Sequence, residues 1–110
     1  PYTPAAPTGT GNGEVGTSYP FTTSTTDPDG DGVSYIFDWG DGSYSTWLGP
    51  YDSGDIVEAS HEWIKKGNYE IRIKAKDENG VFSNWSDPLI VSMPKNKVYN
   101  FNIPLINWLF

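Results

Sequence analysis

The sequence predicts an all-β fold, a two-sheet antiparallel sandwich of about seven strands with an apolar C-terminal tail. Three observations lead there. Glycine (12), proline (9), tyrosine (7) and tryptophan (5) are abundant, a mix that favours short strands and tight turns over helices. Apolar and polar residues alternate with a period of two in several short segments. Turn-forming clusters separate those segments at intervals of roughly eight to twelve residues. A chain of 110 residues is long enough to bury one core, and the lack of cysteine excludes disulfides and thiolate metal sites.

Residues 1–13, PYTPAAPTGTGNG, are Pro-rich and then Gly-rich, as in a linker that hardens into an edge segment. The sandwich itself is expected over residues 14–93. TSYPFTTSTT puts Tyr19, Phe21 and Thr23 on one face. Pro20 marks an edge or a strand start, because proline cannot donate to a central ladder. VSYIFDW directs Val33, Tyr35, Phe37 and Trp39 inward. GDGS then turns the chain into a long excursion centred on Gly49-Pro50. IVEASHEW brings Val57, Ala59, His61 and Trp63 inward, and IKKGN reads as a hairpin turn. YEIRIKAKD has the cleanest alternation, with Tyr69, Ile71, Ile73 and Ala75 inward and Glu70, Arg72, Lys74 and Lys76 outward. Leu89, Val91 and Met93 close the sheet. Together these segments describe an immunoglobulin-like sandwich.

Residues 94–110 leave this pattern. Tyr99, Phe101 and Ile103 alternate with asparagines, and LINWLF after Pro104 is apolar on nearly every side. Such a segment is sticky in water, so Tyr99, Phe101, Ile103, Leu105 and Trp108 are candidate contact residues. Three fates fit the composition: docking on the same domain, strand addition to the next subunit, or the start of a longer anchor. Insertion into a neighbour that does not close on itself would build a filament.

Charge narrows the partners. Residues 1–60 hold nine acids and no Lys or Arg, and the seven bases all lie between Lys65 and Lys97. A net charge of -7 argues against nucleic acid or an anionic membrane, and is compatible with cations, neutral glycans and proteins. No apolar run reaches the roughly 18–20 residues that span a bilayer. The chain opens on Pro1 with neither initiator Met nor signal peptide, as expected of a piece of a longer or processed precursor.

Three ordered blocks resemble the polycystic kidney disease (PKD) domain. Phe37, Asp38, Trp39, Gly40, Asp41 and Gly42 fill the first. His61 and Trp63 fill the second, and Gly67, Tyr69, Ile71, Ile73, Asp77 and Gly80 the third. The aromatic order differs from the usual one at Phe37 and Trp39, and Trp63 stands where tyrosine is usual; both swaps keep core volume. The resemblance implies an extracellular or cell-surface module, found in secreted proteins, that makes protein–protein contacts and has no catalytic residues. Its partners would be neighbouring copies or domains of the same or another surface protein.

Four groups of residues bear on chemistry. Asp27, Asp29 and Asp31 sit two apart before Gly32, with Asp38 at position 12, in the rhythm of a calcium loop. An EF-hand is excluded: position 12 is the shorter Asp, position 2 is Pro28, and both flanks are strands. A smaller calcium site of Asp27, Asp29 and Asp31, completed by carbonyls and Asp77 or Glu78, stands beside the plainer reading of solvated turn formers. His61 is the sole histidine, so any Ser-His-Asp triad would rest on it; a packed histidine bonded to a neighbouring polar group is the favoured reading. Trp47, Tyr44, Tyr51 and Trp85 lie in loops, where aromatic faces either stack on sugar rings or cover the sandwich, so a carbohydrate-binding module is the alternative function. Asn84-Trp85-Ser86 is an N-glycosylation sequon.

Overall fold

A computed structural model describes residues 1–94 of the chain. Seven strands form two antiparallel sheets: β1 (Thr8–Gly9), β2 (Tyr19–Thr23), β3 (Val33–Asp38), β4 (Leu48–Tyr51), β5 (Val57–His61), β6 (Gly67–Asp77) and β7 (Leu89–Met93). One sheet has the order β1-β2-β5 and the other β4-β3-β6-β7. The expected contact residues Tyr99, Phe101, Ile103, Leu105 and Trp108 lie outside the described residues.

The period-two pattern sets the layers. In β3 burial alternates strictly, with Val33, Tyr35 and Phe37 fully enclosed. In β6 the same alternation buries Ile71, Ile73 and Ala75. Val91 and Met93 of β7 line the same face, and Phe21, Val57 and Trp63 meet it from the small sheet and the segment after it, so the core is the space between the sheets. Burying a large apolar side chain contributes roughly 1.5–3 kcal/mol, and the ten largest enclosed here include Trp63, Tyr35, Phe21 and Phe37.

Aromatic contacts stitch the sheets together. Trp63 Nε1 donates to the Trp39 carbonyl at 3.2 Å. Its ring meets Trp39 edge-on at 6.2 Å and stacks on Tyr69 at 5.6 Å. The Tyr35 hydroxyl accepts from Thr25 N at 3.1 Å, which anchors β3 to the chain leaving β2, and burial raises its phenol above the ordinary range. Gly40 lets this seam close: with φ of 79°, it sits where a Cβ would come within 2.6 Å of the Glu70 carbonyl oxygen.

Three local readings are revised by long-range pairing. IKKGN is not a hairpin turn, because β5 and β6 belong to different sheets and this segment carries the chain across the sandwich. β2 is the middle strand of its sheet; Pro20 is tolerated because the β1 ladder stops at Gly9–Phe21 and leaves Pro20 beyond it. Residues 1–13 are edge structure throughout. Tyr2 N and Ala5 N donate to Thr26 and Ser24 carbonyls, and Pro4 and Pro7 are buried. The segment then changes sheets, with Gly11 and Gly13 exchanging backbone bonds with Ser92 of β7.

Serines extend the large sheet where strands stop. Ser83 and Ser86 each give their N–H to a β6 carbonyl (Ala75, Ile73) and accept from the same residue's N–H on their hydroxyl, at 2.8–3.0 Å. Ser45 does the same with Phe37 of β3. The loop after β6 is thereby fixed along its strand. Ser86 is the buried member, and Ser86→Ala leaves the Ile73 N–H enclosed without a partner. The expected cost is about 1–3 kcal/mol in urea denaturation, with a smaller loss for the half-buried Ser83→Ala.

Candidate functional site

Three places on the sandwich gather chemically active side chains. The first is the end where β2 leads into β3 and β6 ends. Asp27 is buried, and its Oδ2 accepts from the backbone N–H of Asp29 (2.9 Å) and Asp31 (3.3 Å). Its Oδ1 lies 3.1 Å from the Pro1 nitrogen. Asp77 builds the same cap at the next turn, accepting from Asn79 N and Val81 N at 2.9 Å each. Glu78 reaches across to accept from Gly32 N at 2.6 Å, which ties the two turns together. Aspartates are suited to this because a short carboxylate reaches its own chain two and four residues on.

The sequence grouped Asp27, Asp29 and Asp31. The structure instead brings oxygens of Asp27, Asp31 and Asp77 within 4.8 Å of one another. Asp29 is exposed and contributes its N–H to the cap, so its carboxylate stands apart because the turn rotates it outward. Asp38, at the opposite end of β3, caps Gly40 N at 3.0 Å. Three hard carboxylate oxygens at this separation are the donor type that calcium takes. The charges also act on one another. Burial would raise the Asp27 carboxyl, but the hydrogen bonds it accepts, those from the Asp29 and Asp31 N–H groups among them, hold it below the ordinary range. Burial, Asp27, Asp29, Glu78 and Asp77 together push Asp31 above it.

The second place is the Gly40-Asp41-Gly42 turn. Asp41 Oδ1 accepts from Ser43 N and Oγ, and Oδ2 lies 2.8 Å from His61 Nε2. The His61 ring stacks on Trp39 at 4.6 Å and 3° and meets Trp63 edge-on. Burial alone would raise the Asp41 carboxyl, and the Ser43 and His61 hydrogen bonds outweigh it, so it falls below the ordinary range. A cavity of about 440 Å³ opens beside it, lined by Asp41, Ser43, Ile64, Lys65 and Tyr69. The hydroxyl and the imidazole both bind the carboxylate instead of each other. A triad needs the hydroxyl on the imidazole, so this geometry pins a turn against β5 and does not prepare a nucleophile.

The third place was not read from the sequence as a unit. On the outer face of the large sheet, Lys76 Nζ lies 4.3 Å from the Trp47 ring centre. Lys74 Nζ sits between Phe82 (5.3 Å) and Trp85 (4.7 Å). Trp47 and Phe82 also touch, at 5.9 Å between centres. Cations over aromatic faces attract through the ring quadrupole. The clue was present as outward lysines two apart opposite the Ser-x-x-Ser spacing of FSNWS, but the pairing that aligns them is long-range. The four aromatics considered for glycans are thereby separated: Trp47 and Trp85 each have a lysine over the ring, Tyr51 leans on Tyr35 at 6.3 Å, and Tyr44 is exposed. Asn84 is exposed, but the Ser86 hydroxyl of its sequon is taken up in the β6 ladder.

Comparison with known proteins agrees with this architecture. The PKD domain family profile matches residues 5–87. A microbial collagenase of Vibrio alginolyticus is 30% identical over 86 residues, covering 77% of this chain and 10% of that protein, so the chain spans about a tenth of its length. A solved structure, the PKD domain of an M14-like peptidase from Thermoplasmatales archaeon SCGC AB-540-F20, has 49% identity and a TM-score of 0.80. It covers 86% of this chain and is itself covered to 96%.

The crowded acidic end has a measurable consequence. Asp31 has a folded pKa above its unfolded value, so its ionisation opposes folding as pH rises through the folded pKa. In chelator at neutral pH, Asp31→Asn is expected to melt higher than the parent. The gain fades on acidification, as the parent carboxyl takes up its proton. Thermal melts of both proteins between pH 7 and 3 check this.

Proposed function

The chain belongs to the PKD domain family of non-catalytic structural modules, and we propose that it is an extracellular spacer and assembly module of a surface or secreted protein. The observation that carries this reading is the path of the chain. Pro1 lies against Asp27 at one end of the sandwich, and Met93 pairs with Gly67 at the other. β6 runs the distance between those ends, roughly 33 Å at the rise of a strand. A module entered at one end and left at the other adds length between whatever flanks it, and neighbouring domains or copies are the partners this geometry suits.

The finer part of the proposal concerns the C-terminal segment. Its alternating and then largely apolar sequence suits insertion against a neighbouring copy, which repeated without closure gives a filament. Light scattering of the full chain and of one ending at residue 97, both at about 1 M salt where charge pairs are screened, tests it. Assemblies for the first and monomer for the second are expected; monomer for both would sink the assembly part. Glycan binding through Trp47, Tyr51 and Trp85 is the weaker alternative, since lysines cover faces that sugars would need.

Calcium fits this role as a staple of the acidic end. Asp27, Asp31 and Asp77 would hold it, neutralising the repulsion that raises Asp31. Millimolar calcium is then expected to raise the melting temperature of the parent and to leave Asp31→Asn nearly unmoved. Identical parent melts in chelator and in calcium would dispose of the site.

A further inference from the structure

The lysine–aromatic face has no part in the spacer geometry, yet it is built for contact. β6 points Arg72, Lys74 and Lys76 outward, three of the seven bases in the chain, spaced about 6.8 Å apart as alternate strand residues are. Phe82, Val81 and Ile90 around them are each more than half exposed. The face is stiff, because Ser45, Ser83 and Ser86 lock the ring-bearing segments to β3 and β6. The rings beneath Lys74 Nζ and Lys76 Nζ hold these ammonium groups in place, and among the described residues neither has an acid partner within 4 Å, whereas Arg72 is paired with Glu70 at 2.6 Å.

The chain itself supplies a complement. Its acidic end exposes Asp29, Asp52, Asp55 and Glu78, and Ile56 stands 76% exposed among them. The sequences of the loops there (24–32, 52–56 and 77–80) contain no Lys or Arg. These loops are also stiff, closed by the Asp27 and Asp77 caps and by Gly54 N donating to the Thr25 carbonyl at 2.9 Å.

We infer that the lysine–aromatic face of one copy binds the acidic end of a second copy. Rigid carboxylates would meet rigid ammonium groups, and Ile56 would cover Phe82 and Val81 at the centre. Because both surfaces are set before contact, little ordering entropy is lost. The two surfaces lie on different parts of the molecule, so the contact is heterologous and leaves a free face and a free end on every pair. It deepens the assembly reading without using the C-terminal segment, and the two contacts respond to salt in opposite directions. Apolar insertion tolerates or gains from salt, whereas these charge pairs weaken as the Debye length falls from about 10 Å at 0.1 M to about 3 Å at 1 M.

Sedimentation velocity of the full chain at the two salt concentrations tests the inference. At the lower salt the apparent mass is expected to reach at least double the monomer's, and at the higher salt to fall. Lys74→Glu/Lys76→Glu and Asp52→Lys/Asp55→Lys are each expected to lose the salt-sensitive association, and their equimolar mixture to regain it. The acid-side variant alters exposed loop residues, so it reports on contact even where the lysine pair weakens the fold. An apparent mass that does not fall with salt, salt-sensitive association that survives either charge reversal, or a mixture that fails to regain it overturns the inference. So does a monomer whose lysine face retains a polyuronate gel, a result that gives the face to an anionic glycan.

Discussion

The buried indole of Trp63 is the contact on which the sandwich depends. It follows β5 of the small sheet and donates to the carbonyl of Trp39, which follows β3 of the large one. Around it Phe21, Trp39, His61 and Tyr69 pack edge-on or stacked, with ring centres 4.7–6.2 Å apart. A two-sheet fold without disulfides has to hold its layers by packing alone, and here the largest side chain does so with its one polar atom satisfied. The crossing from β5 to β6 begins at this residue. The His61–Asp41 pair then fixes the turn above it, so the geometry of the turn and that of the core are one problem.

Acidity in this chain is first a matter of turns. Asp27, Asp38, Asp41 and Asp77 each accept backbone N–H groups from residues just after them. That use explains why carboxylates crowd one end in spite of their repulsion: local hydrogen bonds offset it, and Asp31 carries the remaining strain as a raised pKa. The same economy appears in the serines of FSNWS, whose hydroxyls replace missing strand carbonyls. Among the described residues no buried side-chain polar atom lacks a partner. A closed polar inventory of this kind suits a module whose work is to keep its shape.

What the sequence reveals divides along physical lines. The inward faces of β3 and β6 were legible because one buried face imposes a period of two, and Val33 to Trp39 and Tyr69 to Ala75 keep it without interruption, although Gly67 and Asn68, which read as turn, begin β6. The GDGS turn was legible because its bonds close within a few residues, with Asp41 accepting from Ser43. The sheet crossing after Trp63, the strap of residues 1–13 across both sheets, and the His61–Asp41 pair were not, since each follows from contact between distant segments. The lysine–aromatic face was hidden for the same reason: Trp47, Lys76 and Phe82 meet only when β4, β6 and the loop after β6 are side by side.

The central claim is that the aromatic seam makes the two sheets a single cooperative body. Native-state hydrogen exchange at the Trp63 indole N–H addresses it directly. The account predicts exchange only through global unfolding, with the same opening free energy as the Ile71 and Ile73 amides of β6. Exchange of the indole at a distinctly lower free energy, while those amides stay protected, would show the sheets separating locally and would contradict it.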